Sequence, residues 1–398
     1  MDKVAAPRAK SLLEHFSVIT DIRQPCKVMY PLKEVLLLVV CGTMAACDDY
    51  DDIVLWGKTH LGFLRRLEEY HFGVPCADWL RVVMNRIGPD LFASCFMAFA
   101  AERLPKAAGQ IAAGQIAIDG KTSRRSHDRG RGQAALHLVS AYATAHNLVL
   151  GSQAVSEKSN EIIAIPLLLQ ELAECGALTG SLVSIDAMGC QSDIAEKIVD
   201  LGGDYLLATK DNQKTAHAEI ELYFDGAPDS ELDVLTDADK GHGRIEIRRH
   251  MVSHNVGWMS GKRRYPDEPR FKGLAAIAMV ETRIETPADP SAGSGDMQVR
   301  IDRRCYISSR QLTAKDFAEA ARSHWAIENG LHWVLDVVFK EDQSRLRRGH
   351  GAQNMALVRH LALNLVRAMP GKHSIKGKRK LATWDDQYLL AALGLNPR

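Results

Sequence analysis

Several common signposts are missing from this sequence. Its eight cysteines (26, 41, 47, 76, 95, 175, 190 and 305) include no CxxC pair and no zinc-like spacing. That excludes a disulfide framework and a local zinc motif, and leaves buried or incidental thiols in a reducing compartment. No apolar run is long enough to span a bilayer: VLLLVVCGTMAAC (35–47) falls short of the roughly 20 residues required. It follows Lys33 and Glu34 well inside the chain, so it is not a signal peptide. A soluble, cytoplasmic protein with no membrane partner is expected. There is no internal repeat, and neither sign of charge dominates, since 50 Lys and Arg stand against 49 Asp and Glu.

What is present is ordinary in bulk and uneven in detail. Hydrophobic residues at 46% and charged residues at 25% exclude a largely disordered chain, and 398 residues suggest two or three domains. Basic residues cluster in KTSRRSHDRGR (121–131), RIEIRRH (244–250), RLRRGH (345–350) and KHSIKGKRK (372–380). A near-neutral total can hide basic surfaces that meet phosphates.

Residues 1–105 carry apolar residues at helical spacing and predict an all-helical N-terminal domain. AAGQIAAGQ (107–115) reads as a linker. From 115 to 231 three short strands, QIAIDG, ALHLVSAYAT and LVLGSQAVS, are followed by alternating helices and strands, the pattern of an α/β layer with a mixed sheet. Residues 232–310 break that rhythm: GRIEIRRHMV, GLAAIAMVETRIE and MQVRIDRRCYISS predict a β-rich insertion. A long helix is expected over 313–338, inside a final segment, 311–398, that ends in basic helices.

Three acids stand out by position. Asp119 is expected at the end of the first strand and Asp186 at the end of SLVSID, and sites in such sheets form beyond the carboxyl ends of strands. Glu328 adjoins a helical stripe of Ile327, Leu331, Val334 and Val338, which turns it toward the packed side of its helix. Three oxygen ligands without a matching Cys/His set suit Mg²⁺ or Mn²⁺, and two such ions can act on a phosphodiester in one in-line displacement. On this reading Lys121, Arg124 and Arg125 hold the nucleic-acid backbone. The bland reading stays open at this point: the aspartates cap turns and Glu328 pairs with an Arg. The rival acids Asp336, Glu341 and Asp342 are set aside. Asp336 lies about 12 Å further along an ideal helix, and the other two fall beyond its end, where solvent or Arg345 and Arg347 would take them.

AIDGKTSRRS, VSIDAMGCQ, KDNQ, GHGRIEIR, SHWAIENGLHWVLDVVFKEDQSR and GAQNMALVRHLALNLVR together resemble the H-repeat-associated transposases of bacterial insertion sequences, the ISAs-one family. The resemblance extends back to YPLKEVLLLVVCGTMAACDDYDDI. It implies a DDE transposase with an RNase H-like core, two bound Mg²⁺ or Mn²⁺ ions, cleavage of DNA at element ends and strand transfer into target DNA. It also implies a homo-oligomer assembled on DNA and nucleoid association. Asp119, Asp186 and Glu328 match the triad. The related Tyr, Arg and Lys signature around the Glu would fall on Ala321, His324 and Leu335, which do not match; Arg322, His324 and Lys340 are the candidate replacements for phosphate contact. VPCADWLRVV departs from the usual VPSHDT turn.

Other residues carry two readings. Lys210, with Asp211 and Gln213 in TKDNQK, is a DNA contact or a polar turn; His242 and Arg244 are DNA contacts or part of a tight glycine turn. Trp325 and Trp333 are expected to pack against the core rather than stack on a base, and His137, His217 and His332 to be structural. Two rival functions are a structure-specific nuclease on the same core and a non-catalytic DNA-binding remnant.

Overall fold

The computed structural model describes residues 12–394 apart from 18, 20, 22, 105, 108–109, 112–113, 156–160, 242–243, 261–269 and 288–296. His242 therefore lies outside the described residues. Among the described residues no helix is long and apolar enough to cross a membrane.

One nine-stranded sheet organises the molecule. Its strands are β1 (Gln115–Thr122), β2 (His137–Ala143), β3 (Leu148–Val155), β4 (Leu182–Ile185), β5 (Asp204–Thr209), β6 (Asp233–Gly241), β7 (Arg244–Ser253), β8 (Ala276–Pro287) and β9 (Met297–Ser308). Their spatial order is β3-β2-β1-β4-β5-β9-β8-β7-β6. The first three are antiparallel, β1, β4 and β5 run parallel, and β5 onward is antiparallel again. Three antiparallel strands followed by two parallel ones is the RNase H-like arrangement. The four later strands continue the same sheet through β9, which pairs with β5 from Cys305↔Thr209 to Ser308↔Leu206.

Two expectations are corrected here. β1 does not end at Asp119 but runs to Thr122, because Gly120, Lys121 and Thr122 continue to pair with β2 after the parallel pairing to β4 has stopped at Ile118. The segment 232–310 holds four strands rather than three. β6, DVLTDADKG, is polar and mostly exposed, and alternation cannot reveal a strand that buries almost nothing.

Cores form on both faces. One face packs Ile118, Val183, Leu207 and Ile307 against helices Glu161–Glu174 (α1), Ser192–Asp200 (α2) and Lys214–Gly226 (α3). The other packs Leu206 and Ala278 against Phe317 and Ala321 of helix Ala314–His324 (α4). A third cluster joins the N-terminal helices to helix Gly351–Ala368 (α5) and to Tyr142 and Val149 of the sheet. VLLLVVCG is buried all round because its helix, Leu32–Met44, is enclosed by these elements. Asn364 of α5 clasps the backbone of Val149, accepting from its N–H at 3.0 Å and donating to its carbonyl at 2.8 Å.

Thr313 begins α4 with a capping box to Asp316. The expected single helix is interrupted: α4 stops at His324, Trp325 turns, and Glu328–His332 forms a π-turn before Trp333–Val337 resumes the helix. Such one-turn widenings are rare and concentrate at functional sites.

Candidate active site

The parallel register pairs Ile118 with Ile185. Asp119 and Asp186, each the next residue, therefore leave adjacent strands side by side at the end where α/β sites form. Asp119 is largely buried, and its Oδ1 accepts the Gly120 N–H at 2.8 Å. Asp186 is exposed and accepts the Met188 N–H at 3.1 Å, so it does cap a turn, Ala187–Gly189, while its carboxylate also lines the cavity below.

That cavity, of about 190 Å³, is lined by Asp119, Asp186 and Glu328 together with Ser184, Lys210, Arg304, His324 and Trp325. Glu328 reaches it from the π-turn with its side chain 49% exposed, facing the cavity mouth rather than the core. His332, one turn on and read from the sequence as structural, is buried against the two acids. Its Nδ1 lies 3.3 Å from Glu328 Oε2 and 3.6 Å from Asp119 Oδ2. One donor atom from each of Asp119, Glu328 and His332 falls within 4.8 Å of the others. The spacing of Glu328 and His332 on one helix face is the signal that could have found it.

Crowding acids in a buried place has an electrostatic consequence. Burial, reinforced by the neighbouring Glu328, pushes the Asp119 carboxyl up to about 7 although His332 pulls the other way. The His332 hydrogen bond holds Glu328 below the usual carboxylate range. A cation among these acids would offset both the burial and the repulsion that raise the Asp119 carboxyl. His324 accepts or donates at Nδ1 to Ser184 Oγ at 3.0 Å. Burial lowers its pKa against the opposing pull of Asp186 and Glu328, which favours a neutral ring. Gln115 joins the same scaffold by donating to Ser184 Oγ and to the Ala320 carbonyl, both at 2.8 Å.

Gly120 is required by close approach. A Cβ there would come 2.3 Å from Glu161 Oε1 and 2.6 Å from His137 Nε2. These two form a buried pair at 2.6 Å, so His137 serves to pack and pair behind Gly120.

Of the expected DNA contacts, Lys210 lines the cavity and is exposed, and His324 lines it without a free charge. Lys121 does not face it. Its side chain is 10% exposed and its ammonium is held by Asp336 Oδ1 at 2.7 Å and Glu341 Oε2 at 2.9 Å. This removes Lys121 from phosphate and Asp336 from the acid cluster. Glu341, expected in solvent or paired with Arg345 and Arg347, is 2% exposed and also lies 3.6 Å from Arg359. Arg124 and Arg125 remain exposed, with Arg124 Nε 3.2 Å from Asp342. Lys340 pairs with Asp48 at 2.6 Å, and Arg244 with Glu246 at 2.5 Å. Arg322 pairs with Asp237 at 2.7 Å. Arg244 and Arg322 line a neighbouring groove of about 910 Å³ that shares Arg304 and Trp325 with the acidic cavity.

The tryptophans correct another expectation: Trp325 and Trp333 are 49% and 57% exposed. Arg304, not foreseen from sequence, lies over the Trp325 ring at 5.3 Å from its centroid. Its neighbours RIDRR alternate charge along β9, so composition alone could not single it out.

Comparison with known proteins now adds to the geometry. Residues 112–365 match the family described as "Transposase DDE domain", and residues 13–100 match the family described as "DDE_Tnp_1-associated". The chain is 38% identical to "H repeat-associated putative transposase YhhI" of Escherichia coli (strain K12), covering 96% of this chain and 98% of that protein. It is also 38% identical to "Putative transposase YncI" of Escherichia coli O157:H7, covering 96% of this chain and 93% of that one.

Proposed function

Because this chain belongs to the DDE transposase family, it is an enzyme that cuts and transfers DNA with a divalent-metal requirement, and we propose that Asp119, Asp186 and Glu328 are its catalytic acids. The observation that carries the assignment is the Ile118↔Ile185 register, which sets the two aspartates side by side with Glu328 on the same cavity wall.

The donor set fits a pair of Mg²⁺ or Mn²⁺ ions. It offers carboxylate oxygens from three residues around one cavity, with Asp119 Oδ2 and Glu328 Oε2 both close to His332 Nδ1. Asp119, Asp186 and Glu328 would hold the ions, which when bound supply Lewis acidity to the attacking and leaving oxygens of a phosphodiester. His332 orients Asp119 and Glu328 through Nδ1. Lys210 and Arg304, at the rim, bind the backbone phosphates on either side of the reacting one. Water attacks at the element end and frees a 3′-hydroxyl, which then attacks target DNA in the same cavity.

The wider assignment follows the chain. Residues 1–105 recognise the ends of a bacterial insertion sequence, 115–231 and 311–398 form the catalytic core, and 232–310 are its insertion. The enzyme works as a homo-oligomer on DNA in the cytoplasm, at the nucleoid. Arg124 and Arg125 add phosphate contacts beyond the cavity.

The test uses duplex DNA carrying whatever inverted repeats sequencing finds on either side of the gene, with Mg²⁺ or Mn²⁺. Cleaved ends and joined products are expected, both lost in Asp186→Ala while DNA binding persists. Cleavage without joining would point to a nuclease, and full cleavage by Asp186→Ala would overturn the assignment of the acids.

A further inference from the structure

A second group of metal-ligating side chains lies on the opposite face of the sheet, behind the end of β5. Cys305 of β9 pairs with Thr209 of β5 and turns its side chain into the core under α3. On α3, His217 and Glu221 are four residues apart and so share one face. One donor atom each from His217, Glu221 and Cys305 lies within 4.8 Å of the other two.

The surroundings arrange these donors. Thr209 Oγ1 contacts His217 Nδ1 at 3.3 Å, which leaves Nε2 on the side of Glu221, 3.9 Å from its Oε1. A ligating histidine commonly has its other nitrogen held in this way, which fixes the ring. Asp225, one turn beyond Glu221, is taken by Arg303 at 3.0 Å and stands outside the group. Cys305 is fully buried, whereas the His217 and Glu221 side chains are 24% and 35% exposed, so a cation has a route in from solvent.

We infer that His217, Glu221 and Cys305 form a zinc site, with water as the fourth ligand. An imidazole, a carboxylate and a thiolate suit a tetrahedral, borderline-soft ion. Mg²⁺ and Mn²⁺, the ions of an all-oxygen site, are poorly served by sulfur. The ion would join α3 to the β5–β9 seam, where the chain passes from Thr209 to Lys210 at the cavity wall. It would act as a fastener behind the active site rather than as part of the chemistry. Sequence spacing conceals it because Cys305 returns to His217 only through the pairing of β9 with β5.

The test titrates the full chain, stripped by a chelator, with Co²⁺ alone and then with Zn²⁺. It uses an Asp119→Asn/Asp186→Asn/Glu328→Gln background so that the acidic cavity contributes nothing. One equivalent of Co²⁺ is expected with a thiolate-to-cobalt charge-transfer band, displaced by equimolar Zn²⁺ and not by Mg²⁺. Cys305→Ser should remove the band. Glu221→Gln, at a half-exposed position that leaves the core intact, should weaken Zn²⁺ binding by more than about tenfold, the loss that even an outer-shell partner can cause. Absence of the band in the parent, its persistence in Cys305→Ser, or displacement by Mg²⁺ would overturn the site. If Cys305→Ser does not fold, Zn²⁺ affinity decides: unchanged affinity in both His217→Gln and Glu221→Gln overturns it, and a loss in both supports it.

Discussion

Lys121 and Glu341, 220 positions apart in the chain, meet at 2.9 Å in the interior. The contact ties the strand carrying Asp119 to the loop that follows the helix carrying Glu328. Arg359 of α5 lies on the other side of Glu341, at 3.6 Å, which brings a third segment into the same knot.

Breaking this pair from one side leaves a buried charge poorly compensated. Lys121→Met should lower unfolding stability by about 3–5 kcal/mol, the usual result when one partner of a buried ion pair is removed. Chemical denaturation measures it. The salt dependence of DNA binding should stay as in the parent, because Lys121 offers no charge to phosphate.

The pair also sets a pH window. Burial opposes the charge on Glu341, but Lys121 and Arg359 overcome it and leave its pKa below the ordinary 4.5. Its stabilisation is present above 4.5 and is lost as pH falls through the depressed value. Burial likewise opposes the charge on Lys121, and Glu341 and Asp336 raise its pKa above 10.5; that contribution is present below 10.5 and is lost as pH rises through the raised value. The stability gap between the parent and a Lys121→Met/Glu341→Leu double variant should therefore be flat around neutral pH and change toward acid, where Asp336 and His360 also respond, and above 10.5. Denaturation midpoints across pH check this, and a gap that varies near pH 7 would contradict it.

His332 should act through the acids it contacts. His332→Gln should raise the Mn²⁺ concentration for half-maximal cleavage by about 10–100-fold, while saturating Mn²⁺ restores most of the rate. A variant whose rate loss is untouched by Mn²⁺ would mean that His332 does not position Asp119 and Glu328.

Phosphate contacts should show in salt slopes. Replacing Lys210 and Arg304 together by Ala should reduce the slope of log affinity against log salt by about 2, since each neutralised phosphate contributes about 0.9. Arg124→Ala/Arg125→Ala should behave similarly on all DNA sequences. An unchanged slope in the latter pair would assign these exposed arginines to solvent and Asp342.

Gly120→Ala should cost about 1–3 kcal/mol through overpacking against Glu161 and His137. Thermal melting detects it, and a neutral result would show that the pair can move aside.

Much of the layer that holds the proposed acids was legible because its residues follow simple periods. QIAID and SLVSID are short apolar runs ending in an acid, and the stripe around Ile327 and Leu331, both buried, drew attention to Glu328 beside it. The rest depended on information absent from local pattern. DVLTDADKG is a strand because β7 pairs with it, not because it buries a face. Lys121 looked like a phosphate ligand because its partners come from the distant 336–342 segment. A π-turn opens at Glu328, and its side chain stands 49% exposed at the cavity mouth, which the helical stripe did not indicate. Trp325 and Trp333 lie at spacings suited to a core, yet their rings project from it.

The polar strand β6 has a consequence for how copies of this enzyme can meet. It is the outer strand of the sheet, and Asp237, Asp239 and Lys240 stud its length. Charges on an outer strand discourage another chain from adding to its open hydrogen-bonding groups. At the opposite margin β3 is flanked by α1, α5 and the helix Pro89–Ala101. Among the described residues, then, neither margin invites a second sheet to extend this one. Under the assembly proposed above, contact between two copies would fall to helices and loops rather than to the sheet margins.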